Sequence, residues 1–435
     1  MLNTMYTPLQ VSVSKGCTLI IEGPSKAKIK SGEVEIFGAI FKRGAEVEID
    51  PHKALPLYCL KKSTIEVFNG KVSLIASDTI PNDWRDLVGK ISLKKGNCTK
   101  IIVLGGLDVG KTGLITFLAN KFFLKGLKIG VIDADVGQSD IGPPTTIGLG
   151  VIEKPIASLN QARLIDAVFI GSTSPSGLLH RVFAAILQLL HIAITREKCD
   201  VILIDTTGWI TGRGRDFKIF KITTIHPDYI IGIQRRDELE PILKWAEKNY
   251  QVYRIEAARH VKARSRDERR SIREYIYKRW FSGAIVKEID FNKVTTIGTI
   301  ILTGSQIPQT CFEYLSKLMD ATVIYGEKSS DTLLLIVNED KSINENVKNK
   351  LAKIFNVKQV YIHTKSLFRN LIVAFQSKER FLDDLGIIVD VDFKSQKFKV
   401  LTKANFNDNV IMYFGQLKIN VDTFKEEDWI RLSSI

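Results

Sequence analysis

Apolar and polar positions change rhythm along the chain. Over residues 1–88 short segments alternate at every second position: Thr18–Glu22, Glu33–Phe37, Glu46–Ile49 and Thr64–Phe68. Alternation with period two lines one face of a strand with apolar side chains and predicts half-buried β-structure. Turn formers lie between the segments: Gly23-Pro24, Ser31-Gly32, Asp50-Pro51 and Asn69-Gly70. This spacing predicts a small β-sandwich or barrel. Asn69-Gly70, flanked by Ile65–Phe68 and Val72–Ile75, predicts a type I′ hairpin.

Pro81–Cys98 reads as a polar joint. Over residues 89–285 continuous apolar runs then alternate with helical ones. Strands are expected at Lys100–Leu104, Lys128–Asp133, Asp166–Ile170, Val201–Asp205, Tyr229–Ile233 and Val252–Glu256. Helices are expected at Lys111–Leu124, Gly177–Arg196, Leu239–Asn249 and Arg266–Trp280. Uninterrupted apolar strands are buried on both faces, as in a parallel sheet, whose ligands gather at the carboxyl ends of the strands. Residues 286–435 are mixed but richer in strand, including Thr295–Leu302, Thr332–Val337, Leu371–Phe375 and Val410–Phe414, with helices at Thr310–Met319 and Asn344–Phe355.

The first predicted α/β strand runs into Gly105-x-x-x-x-Gly110-Lys111-Thr112, a complete phosphate-binding loop. Its backbone, Gly105, Gly106, Leu107, Asp108, Val109, Gly110 and Gly113 included, would cradle phosphate oxygens, helped by the N-terminus of the helix that follows. Lys111 would bridge the β- and γ-phosphates and Thr112 would ligate Mg²⁺. The expected fold is therefore α/β. A central P-loop NTPase or kinase sheet (89–285) lies between an all-β N-terminal domain (1–88) and a β-rich mixed C-terminal domain (286–435).

Composition adds less. The 435 residues carry a formal net charge of +14, which favours polyanionic partners such as nucleic acid. The five cysteines are scattered and never form a C-x-x-C pair, which argues against a disulfide scaffold or a zinc site. No run reaches the ~18 apolar residues of a membrane span, and Met1–Leu9 lacks the core of a signal peptide. The expected location is the cytoplasm, or the nucleus in a eukaryote, with no membrane partner.

Four further stretches carry candidate chemistry. Asp133 and Asp135 end the second strand of the sheet, and either could ligate Mg²⁺ or act as a base; Asp133 is taken as the metal ligand. Thr173 and Ser174 precede a helix, either as caps or as a grip on a phosphodiester. Asp205 ends an apolar run and leads into Thr206-Thr-Gly-Trp209, where Trp209 is either packed in the core or stacked on a base. Arg264, Arg266, Arg269, Arg270 and Arg273 form either a solvated charged helix or a lid that closes over phosphates.

Taken in order, the Asp-x-Asp-x-Gly-Gln element (133–138), the Thr-x-Gly-Trp element (206–209) and the arginine series resemble one family. It is that of the polynucleotide 5′-hydroxyl kinases of eukaryotic mRNA 3′-end cleavage, tRNA splicing and pre-ribosomal RNA processing, with archaeal members. The resemblance covers essentially the whole chain. It implies ATP and Mg²⁺ as cofactors and the 5′-hydroxyl of RNA as acceptor, with DNA left open. It implies that Asp135 activates the hydroxyl and that Gln138 lies near the metal or phosphate. Thr206 and Trp209 would clasp the terminal nucleotide, and Arg264, Arg269 and Arg273 would form the lid. In the family the N-terminal domain helps hold the nucleobase of ATP. Asp205 stands where some relatives carry Asn. Two rivals are an ATP-binding scaffold without activity and a P-loop switch. A guanine-reading Asn-Lys-x-Asp is missing, since Asn292-Lys293-Val294-Thr295 lacks the Asp.

Overall fold

The computed structural model describes residues 8–93, 95–406 and 409–430. It divides into two compact units, residues 1–168 with 174–275, and residues 169–173 with 276–435. The division falls inside the helix Arg266–Trp280.

In the first unit the N-terminal segment is a β-sandwich. Leu9–Val13, Ser63–Phe68, Ser25–Ser31 and Glu46–Ile49 form one antiparallel sheet in that spatial order. Ala39–Lys42, Glu33–Ile36, Ala54–Cys59, Thr18–Glu22 and Lys71–Ile75 form the other. Ser63–Phe68 buries every second residue, as its sequence requires, and Ile65 and Val67 join Leu19, Ile21, Ile29 and Leu57 in the core.

The expected hairpin at Asn69-Gly70 is absent. Both residues do take positive φ, 60° and 89°. Yet Ser63–Phe68 pairs in one sheet and Lys71–Ile75 pairs with Thr18–Glu22 in the other. Turn chemistry set the bend, while the burial of each strand's apolar face chose the partner. A Cβ on Gly70 would stand 2.3 Å from the Glu22 carbonyl oxygen, so the crossing needs glycine.

Pro81–Cys98 is more than a joint, because Asn82–Lys90 is a helix. Trp84 and Leu87, three apart, are both 1% exposed, and the Trp84 ring packs 6.3 Å from that of Phe117.

The central sheet runs Arg163–Phe169, Thr146–Val151, Ile129–Ala134, Val201–Thr206, Thr99–Gly105, Tyr229–Gln234, Gln251–Glu256. Its last five strands are parallel, and Thr146–Val151 is antiparallel to Ile129–Ala134. The predicted strands are all present. Thr146–Val151 was not expected; its Gly148 and Gly150 interrupt the apolar pattern. The helix expected to reach Arg196 is α-helical over Leu179–His191 and ends in a π-turn, Ile192–Arg196. Arg213–Ile225 is an unpredicted helix. Its buried face carries Lys218 and Lys221, which break the apolar period.

The second unit has a seven-stranded sheet, in which Leu371–Gln376 and Asp384–Asp392 are central and Val294–Ile297 lies at one edge. A four-stranded sheet carries the helices Phe312–Met319 and Glu345–Phe355. The strand expected over Thr295–Leu302 stops at Ile297, where Gly298 takes φ 82°. Among the described residues no helix is long and apolar enough to cross a membrane.

Two tests follow from this packing. Trp84→Ala removes a fully buried indole and is expected to destabilise the first unit by about 3–5 kcal/mol, read as a lower denaturation midpoint. His363, in the strand Gln359–Thr364, has a buried Nε2 with no hydrogen-bond partner, and burial and the charge of Lys348 push its pKa down to about 4. The unfolded chain takes up that proton first, so stability falls as pH drops from the ordinary histidine value toward 4 and then levels. His363→Gln should flatten that part of the melting-temperature profile.

Candidate functional site

The strand Thr99–Gly105 delivers the chain into the loop, and the helix Lys111–Phe123 carries it away. Asp108 and Gly110 take φ of 53° and 101°, backbone turns of the kind that gather N–H groups round an anion. Trp84 lies against Gly110, 3.3 Å from where a Cβ would be. The N-terminal joint thus backs the loop directly.

Lys111 Nζ donates to the Gly106 carbonyl oxygen at 2.6 Å. Burial pushes its amine below the usual lysine range, against the pull of Asp205, Asp135 and Asp108. Thr112 Oγ1 donates to Asp205 Oδ2 at 3.0 Å. Asp205 is 3% exposed, and burial pushes its carboxyl up to about 6 although Lys111 opposes the shift. Asp133 and Asp205 are directly paired in register on neighbouring parallel strands.

One cavity joins the pieces. It is lined by loop residues from Leu107 to Gly113, by Asp135 and Gln138, and by Arg264 and Arg269. The sandwich and joint close it with residues that include Phe37, Lys53 and Trp84. Lys53 is ion-paired with Asp140 and Asp50. Gln138 Nε2 donates to the Arg269 carbonyl oxygen at 3.2 Å, and Arg273 Nη1 donates to that of Gly137 at 3.3 Å. The arginine segment therefore rests on the turn after Asp135.

Several sequence-predicted residues do not line this cavity. Asp133 Oδ2 accepts from Ser139 Oγ and from the N–H groups of Asp140 and Ile141, while Oδ1 accepts from Asp135 N–H. Four donors of the turn thus hold the two oxygens of Asp133, the expected metal ligand, and Asp205 is the carboxylate next to Thr112. Thr206, expected in the clasp, is fully buried, and its hydroxyl donates to the Val103 carbonyl oxygen of the neighbouring strand at 2.8 Å. Ser174 Oγ accepts from Ser176 N–H at 3.3 Å in a local turn. Thr173 falls in the second unit and Ser174 in the first. Trp209 is half-buried, its ring 6.0 Å from that of Phe217.

Two lysines escaped the sequence reading. Lys218 and Lys221 are fully buried behind the carboxylates. Lys218 Nζ donates to the Thr207 carbonyl oxygen at 2.5 Å and hydroxyl at 3.0 Å. Lys221 Nζ lies 4.6 Å from the Phe217 centroid, and burial lowers its pKa to about 8 against the pull of Asp135 and Asp205. Lysines three apart inside an apolar helical run were the available signal.

Comparison with known proteins assigns the chain to a family. The family model for the mRNA cleavage and polyadenylation factor CLP1 P-loop matches residues 105–283. A polyribonucleotide 5′-hydroxyl-kinase of Methanocaldococcus jannaschii is 33% identical over 328 residues, 74% of this chain and 87% of that protein. This chain belongs to the CLP1-type polyribonucleotide 5′-hydroxyl-kinase family. A second member, from Pyrococcus abyssi, is 30% identical over 80% of this chain and 94% of its own length. The solved wild-type Clp1p–Pcf11p complex matches with a TM-score of 0.64 over 94% of this chain and 98% of that one, at 14% identity, a likeness of fold. The matched P-loop region of this CLP1-family chain contains the loop, Asp135, Asp205, Trp209 and the arginine series.

Proposed function

We propose that the chain is an ATP-dependent polyribonucleotide 5′-hydroxyl kinase, which moves the γ-phosphoryl of ATP to the 5′-hydroxyl of RNA and releases ADP. The observation that carries this reading is a single cavity in which Lys111 and Thr112 face the same space as Asp135 and Arg269. A donor loop, a carboxylate base and an arginine at one cleft are the parts that phosphoryl transfer to a hydroxyl needs. The names of the archaeal relatives support RNA as the acceptor.

The triphosphate lies along the loop and its backbone N–H groups. Lys111 exchanges the Gly106 carbonyl for the β- and γ-phosphate oxygens. Asp135 accepts the proton of the 5′-hydroxyl as that oxygen attacks the γ-phosphorus and the bond to the β,γ-bridging oxygen breaks. Arg264, Arg269 and Arg273 neutralise the charge that spreads over the transferring group, the largest part of catalysis in such loose transition states. Trp209 stacks on the terminal base. By domain, residues 1–88 wall in the nucleobase of ATP, 89–285 perform the transfer, and 286–435 form a separate β-rich body.

Thr112 and Asp205 fit a hard divalent cation. They offer two oxygens side by side, and burial leaves the Asp205 charge poorly compensated. Among the described residues no group of three His, Cys, Asp or Glu side chains is arranged for a metal, so phosphate and water oxygens would complete the shell, as is usual for Mg²⁺. When bound, Mg²⁺ supplies charge neutralisation at the β- and γ-phosphates.

Lys111→Ala is expected to abolish transfer of labelled γ-phosphate to a 5′-hydroxyl oligoribonucleotide. Asp135→Asn should slow turnover by about 10²–10⁴-fold while ATP affinity stays near wild type; full activity in that variant would sink the assignment of the base. Thr112→Ala should weaken ATP binding, measured by titration calorimetry, in the presence of Mg²⁺ but not in EDTA. Equal weakening in both buffers would remove Thr112 from the metal.

A further inference from the structure

The loop contains one acidic residue, Asp108, and its carboxylate faces away from any role in gripping an anion. Asp108 Oδ2 accepts from Arg269 Nη2 at 2.6 Å and from the backbone N–H of Arg264 at 3.2 Å. The ion pair is sheltered, with the side chains 18% and 16% exposed. The same loop residue is held from its other end, since its carbonyl oxygen accepts from Arg235 Nη2 at 2.7 Å. Around it the arginine segment has further anchors. Arg264 Nε donates to the His52 carbonyl oxygen at 3.2 Å, and Lys262 pairs with Glu22 at 2.6 Å. Those fix the segment to the sandwich; Asp108 fixes it to the phosphate loop.

We infer that Asp108 is a positioning residue for phosphoryl transfer, holding Arg269 over the loop before and during the reaction. The inference rests on the kinase reading above. A guanidinium carries five N–H donors in a fixed fork, so a carboxylate bonded at Nη2 leaves donors for a phosphate and fixes the plane in which they lie. Arg269 and Asp108 both line the cavity in which Lys111 and Asp135 also stand. The left-handed backbone of Asp108, φ 53°, is one that Asp tolerates well, whereas an acid here is costly beside a triphosphate. The carboxylate works against ATP binding and in favour of the placed arginine, so its removal should affect affinity and turnover with opposite sign.

Asp108→Asn, nearly the same in shape, tests this. Turnover with a 5′-hydroxyl oligoribonucleotide should fall about 10- to 100-fold, the cost of a lost charge-assisted hydrogen bond, while KM for ATP stays level or drops. Asp108→Asn combined with Arg269→Gln should be no slower than Arg269→Gln alone, because Asp108 acts through Arg269. Amide exchange over residues 262–269 of the nucleotide-free protein should quicken in Asp108→Asn. Unchanged turnover, a raised KM as the sole effect, or fully additive losses would overturn the inference. If the wild-type chain transfers no phosphate, the kinase reading fails by itself. Amide exchange then judges the Asp108 anchor alone, and equal exchange in variant and wild type overturns it.

Discussion

The hydrogen bond between Thr112 and Asp205 ties the start of the P-loop helix to the neighbouring strand, and the site depends on the buried charge around it. Asp205 sits in register with Asp133 at the carboxyl edge of a sheet buried on both faces. Carboxylates in such a place repel one another and resist ionisation. The chain answers with cations brought from three directions. Lys111 comes from the loop, Lys221 from the helix Arg213–Ile225, and Arg269 from the arginine segment. Asp133 accepts from four donors of the turn that follows its strand, while Asp135 lines the cavity.

The N-terminal sandwich is part of this arrangement. Trp84 packs against Phe117 of the P-loop helix and lies beside Gly110, so the loop's outer wall belongs to another layer of structure. Asn120, fully buried, donates to the Phe37 and Ile156 carbonyl oxygens at 2.8 Å each and fastens the same helix to the sandwich. A loop that must hold a flexible triphosphate gains from walls that do not move with it, because ordering paid in folding is not paid again on binding.

Much of this was legible in the chain. Continuous apolar runs located every strand of the central sheet except Thr146–Val151, whose glycines hide it. Loop residues from Leu107 to Gly113, Asp135, Gln138, Arg264 and Arg269, all singled out by their residue types, line one cavity. Other elements were hidden by packing. Lys218 and Lys221 disguise a buried helix face, because a lysine in the core looks like a surface residue until its partners are known. Trp84 and Leu87 look like two stray apolar residues in a polar joint until a sheet is laid beneath them.

Local sequence by itself determined the period of each segment, the bend at Asn69-Gly70 and the geometry of the phosphate loop, because these are set by backbone freedom and by neighbours along the chain. Only the tertiary structure decided which strand the bend would pair, which of three aspartates would stand next to Thr112, and that Thr206 would spend its hydroxyl on the sheet. Each of those outcomes turns on a group that lies far away in sequence. A carboxylate or hydroxyl does chemistry only when its neighbours leave an oxygen unspent, and burial and hydrogen bonding from distant segments settle that.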